Sequence, residues 1–198
     1  SRRHAREGGG ARQLTGAFAY IRRQPGIIVG LVISVLVGVL GNPLFQLTVV
    51  FAESVFRVDA VALGLMNAAL GVGAVIAAPI VTGWRGLRLS QVARWALVTY
   101  GAAIAAFGAA PHYLFGVAAL VVVGGCFLAV VSTVNTATQL IVADHMRGRV
   151  VACRSMLYTA SFPVGGMLQG ALADWFGVRA SVVGAGATML LAALVLMV

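Results

Sequence analysis

Long apolar runs separated by short Arg-bearing segments constrain this chain more than any other feature of its sequence. A helix rises about 1.5 Å per residue, so roughly 20 apolar residues are needed to cross the hydrocarbon of a bilayer. Six runs of that order are present, at residues 26–51, 60–83, 92–110, 113–142, 150–173 and 178–198. Composition agrees. Of the 198 residues, 61% are hydrophobic and 10% charged, where a soluble domain carries about a quarter charged. A soluble fold of this size has nowhere to hide so much apolar surface, whereas a bilayer removes the need for a polar exterior. The expected fold is therefore an all-α membrane protein: a six-transmembrane-helix bundle over residues 25–198, preceded by a separate element at 1–24.

The charges set the orientation. All 14 basic residues are Arg. Arg2, Arg3, Arg6, Arg12, Arg22 and Arg23 precede the first run; Arg85, Arg88 and Arg94 follow the second; Arg147, Arg149 and Arg154 follow the fourth. With six crossings these all fall on one face, leaving only Arg57 and Arg179 on the other. The positive-inside rule makes the Arg-rich face cytoplasmic. We thus expect a multi-pass protein of the cell (inner) membrane with both termini in the cytoplasm and Glu53, Asp59 and Asp174 outside. A net charge of +9 does not indicate nucleic-acid binding, because such a site needs basic residues gathered on one soluble face. No nucleic-acid partner is expected.

Residues 1–24 divide in two. The stretch from Arg2 to Gly10 is basic and Gly-rich. From Leu14 to Arg23, Leu14, Phe18 and Ile21 share a helical face, with Arg22 and Arg23 at its end. That pattern suits a helix lying on the cytoplasmic leaflet, and Pro25 then breaks the chain before the first span. The first apolar run is too long for a signal peptide and lacks a small-residue cleavage site. The chain opens on Ser1 rather than Met, and two readings stand: a piece of a longer protein, or a half-size subunit that pairs with itself or a sister subunit.

An ionisable residue at membrane depth is a functional hypothesis by default, and the sequence offers almost none. Glu53, Asp59, Asp144 and Asp174 sit at ends or loops, as do His4, His112 and His145. Cys126 and Cys153 lack metal-ligand spacing and read as small buried hydrophobes. No nucleophile–base pair or zinc motif survives, so no enzyme, metal or cofactor is expected. What remains is neutral. Asn42 and Gln46 are one turn apart in the first helix, with Pro43 between them. Ser132, Asn135, Thr136 and Gln139 form a stripe in the fourth, and Ser155, Tyr158, Thr159 and Phe162 form another in the fifth. An amide facing lipid is costly without a partner. The stripes either bond helix to helix or face a wet cavity, and both readings stand. In the fifth helix Pro163, Gly165 and Gly166 weaken successive turns, and Gly166 and Gly170 form a GxxxG face. Such a helix can bend, although Pro–Gly kinks also occur in helices that never move.

Three segments carry a family resemblance. Residues 135–156, NTATQLIVADHMRGRVVACRSM, resemble the fourth-to-fifth connection in the efflux branch that includes the enterobactin and macrolide exporters, where an R-G-R-V run follows an acidic residue. FAYIRRQPGI is similar to that branch's lead-in to the seventh helix, and GALADWFGVR to the turn before the last. The whole chain thus resembles the C-terminal half of a twelve-helix major facilitator superfamily transporter, with residues 1–24 as the central cytoplasmic loop. The family's loop between the second and third helices of each half reads roughly G-x-L-A-D-R-x-G-R-R. Its counterpart here, PIVTGWRGLR, keeps only Gly86 and Arg88 and has Gly83 where the acid belongs.

The resemblance implies a secondary active transporter exporting an amphipathic small molecule, most simply in exchange for protons, by alternating access. Asn42, Gln46, Asn135, Gln139, Tyr158 and Thr159 would line its cavity. Asp144, Arg147 and Arg149 would form an inner-face latch, and Pro163, Gly165 and Gly166 a kink. The partners would be the substrate, the bilayer and an N-terminal six-helix half, from the same gene or a sister subunit. Amides and hydroxyls without a counter-charge suit a neutral or mixed substrate. An uptake carrier of the same fold, or a non-transporting scaffold or sensor, are the alternatives.

Overall fold

A computed structural model describes residues 24–83 and 89–196. The amphipathic segment at 1–23 and the Arg85–Arg88 segment lie outside the described residues. Those described form helices and short connections, with no strand among them. Helix α1 spans Pro25–Phe56, α2 Ala60–Gly83, α3 Leu89–Gly108, α4 Tyr113–Ile141, α5 Asp144–Phe176 and α6 Val178–Val195. Four of them, α1, α2, α4 and α6, are long and apolar enough to cross a membrane. The other two are long, at 20 and 33 residues, but polar side chains dilute them: Gln91 and Arg94 near the start of α3, and Arg154, Tyr158 and Gln169 along α5.

Two boundaries differ from the sequence expectation in ways that matter. Helix α1 continues five residues past Phe51, and α5 begins six residues before Val150. Asp144 opens α5, in a first turn where a carboxylate meets the positive end of the helix dipole. Only Val142 and Ala143 separate it from α4. The Arg147–Arg149 run, expected in a loop, is therefore helical. Asp59 starts α2 in a similar way: its Oδ1 accepts the Ala62 N–H at 2.9 Å, satisfying one of the orphan donors at the helix N-terminus.

Helix α1 is interrupted by two wider, π-helical turns, Val37–Gly41 and Phe51–Phe56. The first has a visible cause. Pro43 supplies no N–H to the preceding turn, and the Asn42 N–H reaches back five residues to the Val37 carbonyl. Two carbonyls in this stretch, of Val39 and Leu40, instead accept the side-chain amide of Gln169 from α5, at 3.0 and 2.9 Å. A neighbouring helix thus satisfies backbone groups that no water could reach. The second wide turn ends at Arg57, whose left-handed backbone (φ 52°) stops the helix.

Packing pairs α2 with α4, α3 with α4 and α6, and α5 with α1 and α6, while α1 and α4 meet at the centre. Exchanging α1–α3 for α4–α6 carries the α2–α4 pairing onto α5–α1 and the α3–α6 pairing onto itself, whereas the α5–α6 contact has no α2–α3 counterpart of similar extent. The core holds Phe51, Leu97, Tyr100, Phe107 and Leu120, with Phe51 and Phe107 rings 4.6 Å apart. A smaller cluster of Ile27, Val142, Met146, Val150 and Cys153 joins the start of α1 to the α4–α5 turn. The outer surface is apolar: Val75 is 73% exposed and Met167 79%. A soluble protein seldom exposes such continuous patches.

Candidate functional site

Three helices build a polar seam inside this apolar bundle. On α1, Ser34 and Val37 face it; on α4, Val130 and Val134; on α5, Arg154, Ser155 and Tyr158. Together with their neighbours they enclose a cavity of about 240 Å³. Its walls are aliphatic, and its polar lining is Ser34 on α1 and Arg154, Ser155 and Tyr158 on α5. Arg154 donates from Nη2 to the Asn135 Oδ1 at 2.9 Å, tying α5 to α4. Asn42 donates from Nδ2 to the Tyr158 hydroxyl at 3.0 Å, tying α1 to α5. Tyr158 is steadied by Phe162 one turn on, edge to face at 4.8 Å. Ser34 takes no part, since its hydroxyl donates to its own helix at Gly30.

A second opening, of about 190 Å³, lies beside the first wide turn and is lined by Asn42, Pro43, Phe45, Gln46 and Phe162. Asn42 and Tyr158, hydrogen-bonded to each other, thus stand between the two openings. The widened turn and Pro43 hold Asn42 there, and close packing holds α5 against it. Gly165 lies so near the wide turn that an added Cβ would overlap the Val39 carbonyl, and at Gly38 it would come within 2.6 Å of the Ser161 Cβ.

The six residues expected to line the cavity divide accordingly. Asn42 and Tyr158 bond to each other, Gln46 borders the second opening, and Asn135 holds Arg154. Gln139 and Thr159 are exposed and border neither opening. The α5 stripe therefore splits, because one turn of helix carries Tyr158 inward and Thr159 outward.

The expected latch is a pair within one helix. Asp144 and Arg147 meet at 2.6 Å with their side chains 88% and 47% exposed. Exposed i,i+3 pairs of this kind contribute little. Arg149 donates to the Met146 sulfur at 3.8 Å instead. Pro163 is exposed, and α5 runs on through it. The close approach expected at Gly166 and Gly170 is made by Gly165: Gly166 borders the Gln46 side chain, and Gly170 has open space beside it.

Sequence reasoning missed two residues. Arg154 was expected beside the cytoplasmic loop, yet it stands ten residues into α5, about 15 Å along the helix. The signal was Asp144, an acidic residue placed to start a helix. Gln169 was overlooked, although an amide in an apolar run needs a partner and Pro43 guarantees a carbonyl in need of a donor. A larger cavity of about 530 Å³ lies between α1, α3 and α4. Its polar lining residues are Arg94 and Thr138, and the Thr138 hydroxyl is spent on the Val134 carbonyl. Among the described residues no cluster of His, Cys, Asp and Glu is placed to hold a metal.

Comparison with protein families gives one result. A family model described as transmembrane secretion effector matches residues 5–198. No curated protein and no solved structure matches the chain.

Proposed function

The chain belongs to the transmembrane secretion effector family, transporters of the major facilitator type and not enzymes, and from that premise we propose that it exports an amphipathic small molecule across the cell membrane in exchange for protons. All six helices cross the bilayer in this reading, with both termini cytoplasmic. The observation that carries it is the seam: Asn42, Tyr158, Asn135 and Arg154 join three helices around a cavity in an otherwise apolar bundle. Polar groups that served only to glue helices would have no need of an opening beside them. The correspondence of the α2–α4 pairing with α5–α1, and of α3–α6 with itself, supports a construction from two three-helix repeats. An odd number of crossings per repeat inverts one against the other, as in transporters whose substrate site lies at the repeat interface. A second six-helix half would complete the pathway and supply the proton carrier.

The test is a cysteine in the cavity. In a background with Cys126 and Cys153 replaced by Ala, Ser155→Cys is expected to react with a membrane-impermeant maleimide in inside-out vesicles. A transported dye is expected to slow that reaction. An equal rate with and without every dye exported by the cells would remove the seam from the pathway.

A further inference from the structure

The seam contains a cation with no anion. Arg154 is half-buried, and a guanidinium offers five N–H donors. One hydrogen bond goes to the neutral Asn135, and the buried Nε has no hydrogen-bond partner. Among the described residues Asp144 pairs with Arg147, and no carboxylate is paired with Arg154. Asn135 stands six residues before the end of α4, so the guanidinium is held about 9 Å inside that helix end. Reaching out to the headgroup region would break its bond to Asn135. A charge withdrawn from water without a partner is costly, and the cavity beside it is the place where a partner can enter.

We infer that this cavity is an anion site: Arg154 receives a carboxylate or similar anionic oxygen group carried on an apolar body, and Tyr158 and Ser155 border the same pocket. The aliphatic wall of Val37, Val130 and Val134 suits the portion of the body next to the charge. At about 240 Å³ the cavity is smaller than the roughly 300–1,000 Å³ of sites that enclose a whole drug-sized ligand. It seats the charged end of the molecule. The site narrows the substrate class from neutral or mixed to amphipathic anions; calling the ligand cargo rests on the export reading, while recognition of its charge does not. An acidic lipid headgroup offers the same chemistry.

The test uses the full chain, purified in uncharged detergent, and two fluorescent probes of one shape, pyrenebutyrate and its methyl ester. Wild type is expected to bind the acid about tenfold tighter than the ester, the scale of one charge-assisted hydrogen bond. Arg154→Gln is expected to bring that ratio to about one. Should that variant fail to fold, Asn135→Asp decides: it places a carboxylate beside the guanidinium, and is expected to abolish the preference while thermal stability holds or rises. Equal binding of acid and ester by wild type, or an acid preference surviving in folded Arg154→Gln or Asn135→Asp, overturns the inference. Displacement by dodecanoate at lower concentration than by phosphatidylglycerol identifies the ligand as a solute; the reverse order identifies a lipid headgroup on the same site. If cells expressing the protein export nothing while the binding preference stands, the export reading falls and the anion site remains.

Discussion

Gly124→Leu is expected to leave no stably folded protein. Gly124 of α4 lies against the backbone of α2, where an added Cβ would overlap the Leu70 carbonyl oxygen; Gly73 of α2 is in the same position against Val121 of α4. The two helices therefore touch backbone to backbone at two points, and no side-chain rotation can make room. Overpacking in a close-fitting core costs about 1–3 kcal/mol and at times more, and here the obstacle is main chain, so about 3 kcal/mol or more is expected. Gly71→Ala is the control. It sits two residues from Gly73, meets nothing within 4 Å, and gains helix propensity. Thermal unfolding, followed by a thiol-reactive dye that reaches the buried Cys153 as the bundle opens, should separate the two variants clearly.

Gln169→Leu should be nearly as damaging, for the opposite reason. The substitution keeps an apolar side chain of similar size in a fully buried place (2% exposed), so packing changes little. It removes the amide that serves the Val39 and Leu40 carbonyls. Each buried acceptor left bare costs about 1–3 kcal/mol, giving about 2–6 kcal/mol for the pair. Pro43→Ala should reduce this penalty, because a backbone N–H then returns to the preceding turn. The two changes are expected to be non-additive, as groups sharing one network are, and the same melting assay reads the cycle. Equal losses with and without Pro43 would show that the amide does not compensate for the proline.

What could be read from the sequence follows from what lipid demands. A helix in a bilayer must be apolar over most of its length, so the runs at 60–83 and 113–142 announce helices nearly to the residue. Asn42 and Tyr158 were legible for a related reason, since polar side chains in such runs need partners. The partners themselves were not. Asn42 meets Tyr158 across 116 positions of sequence, and Gln169 meets Val39 across 130. Such pairs are products of helix packing, which spacing within one helix cannot reveal. The wide turn at Val37–Gly41 was hidden likewise: Pro43 signals a disturbance, but its form depends on a donor from α5. Arg154 was obscured by a boundary. Six residues of difference at the start of α5 moved it from the edge of a loop to the wall of a cavity, and changed the ligand that the seam suits. In contrast, the Asp144–Arg147–Arg149 motif stood out in the sequence, and in the structure it supplies one exposed ion pair.

Energised export is read from the intracellular accumulation of a panel of lipophilic dyes, acidic, neutral and basic, in cells with and without the protein. Lower accumulation of amphipathic acids is expected in the expressing cells, and a protonophore that collapses the proton gradient is expected to abolish the difference. Equal accumulation of every dye, with the protein present in the membrane, would contradict energised export.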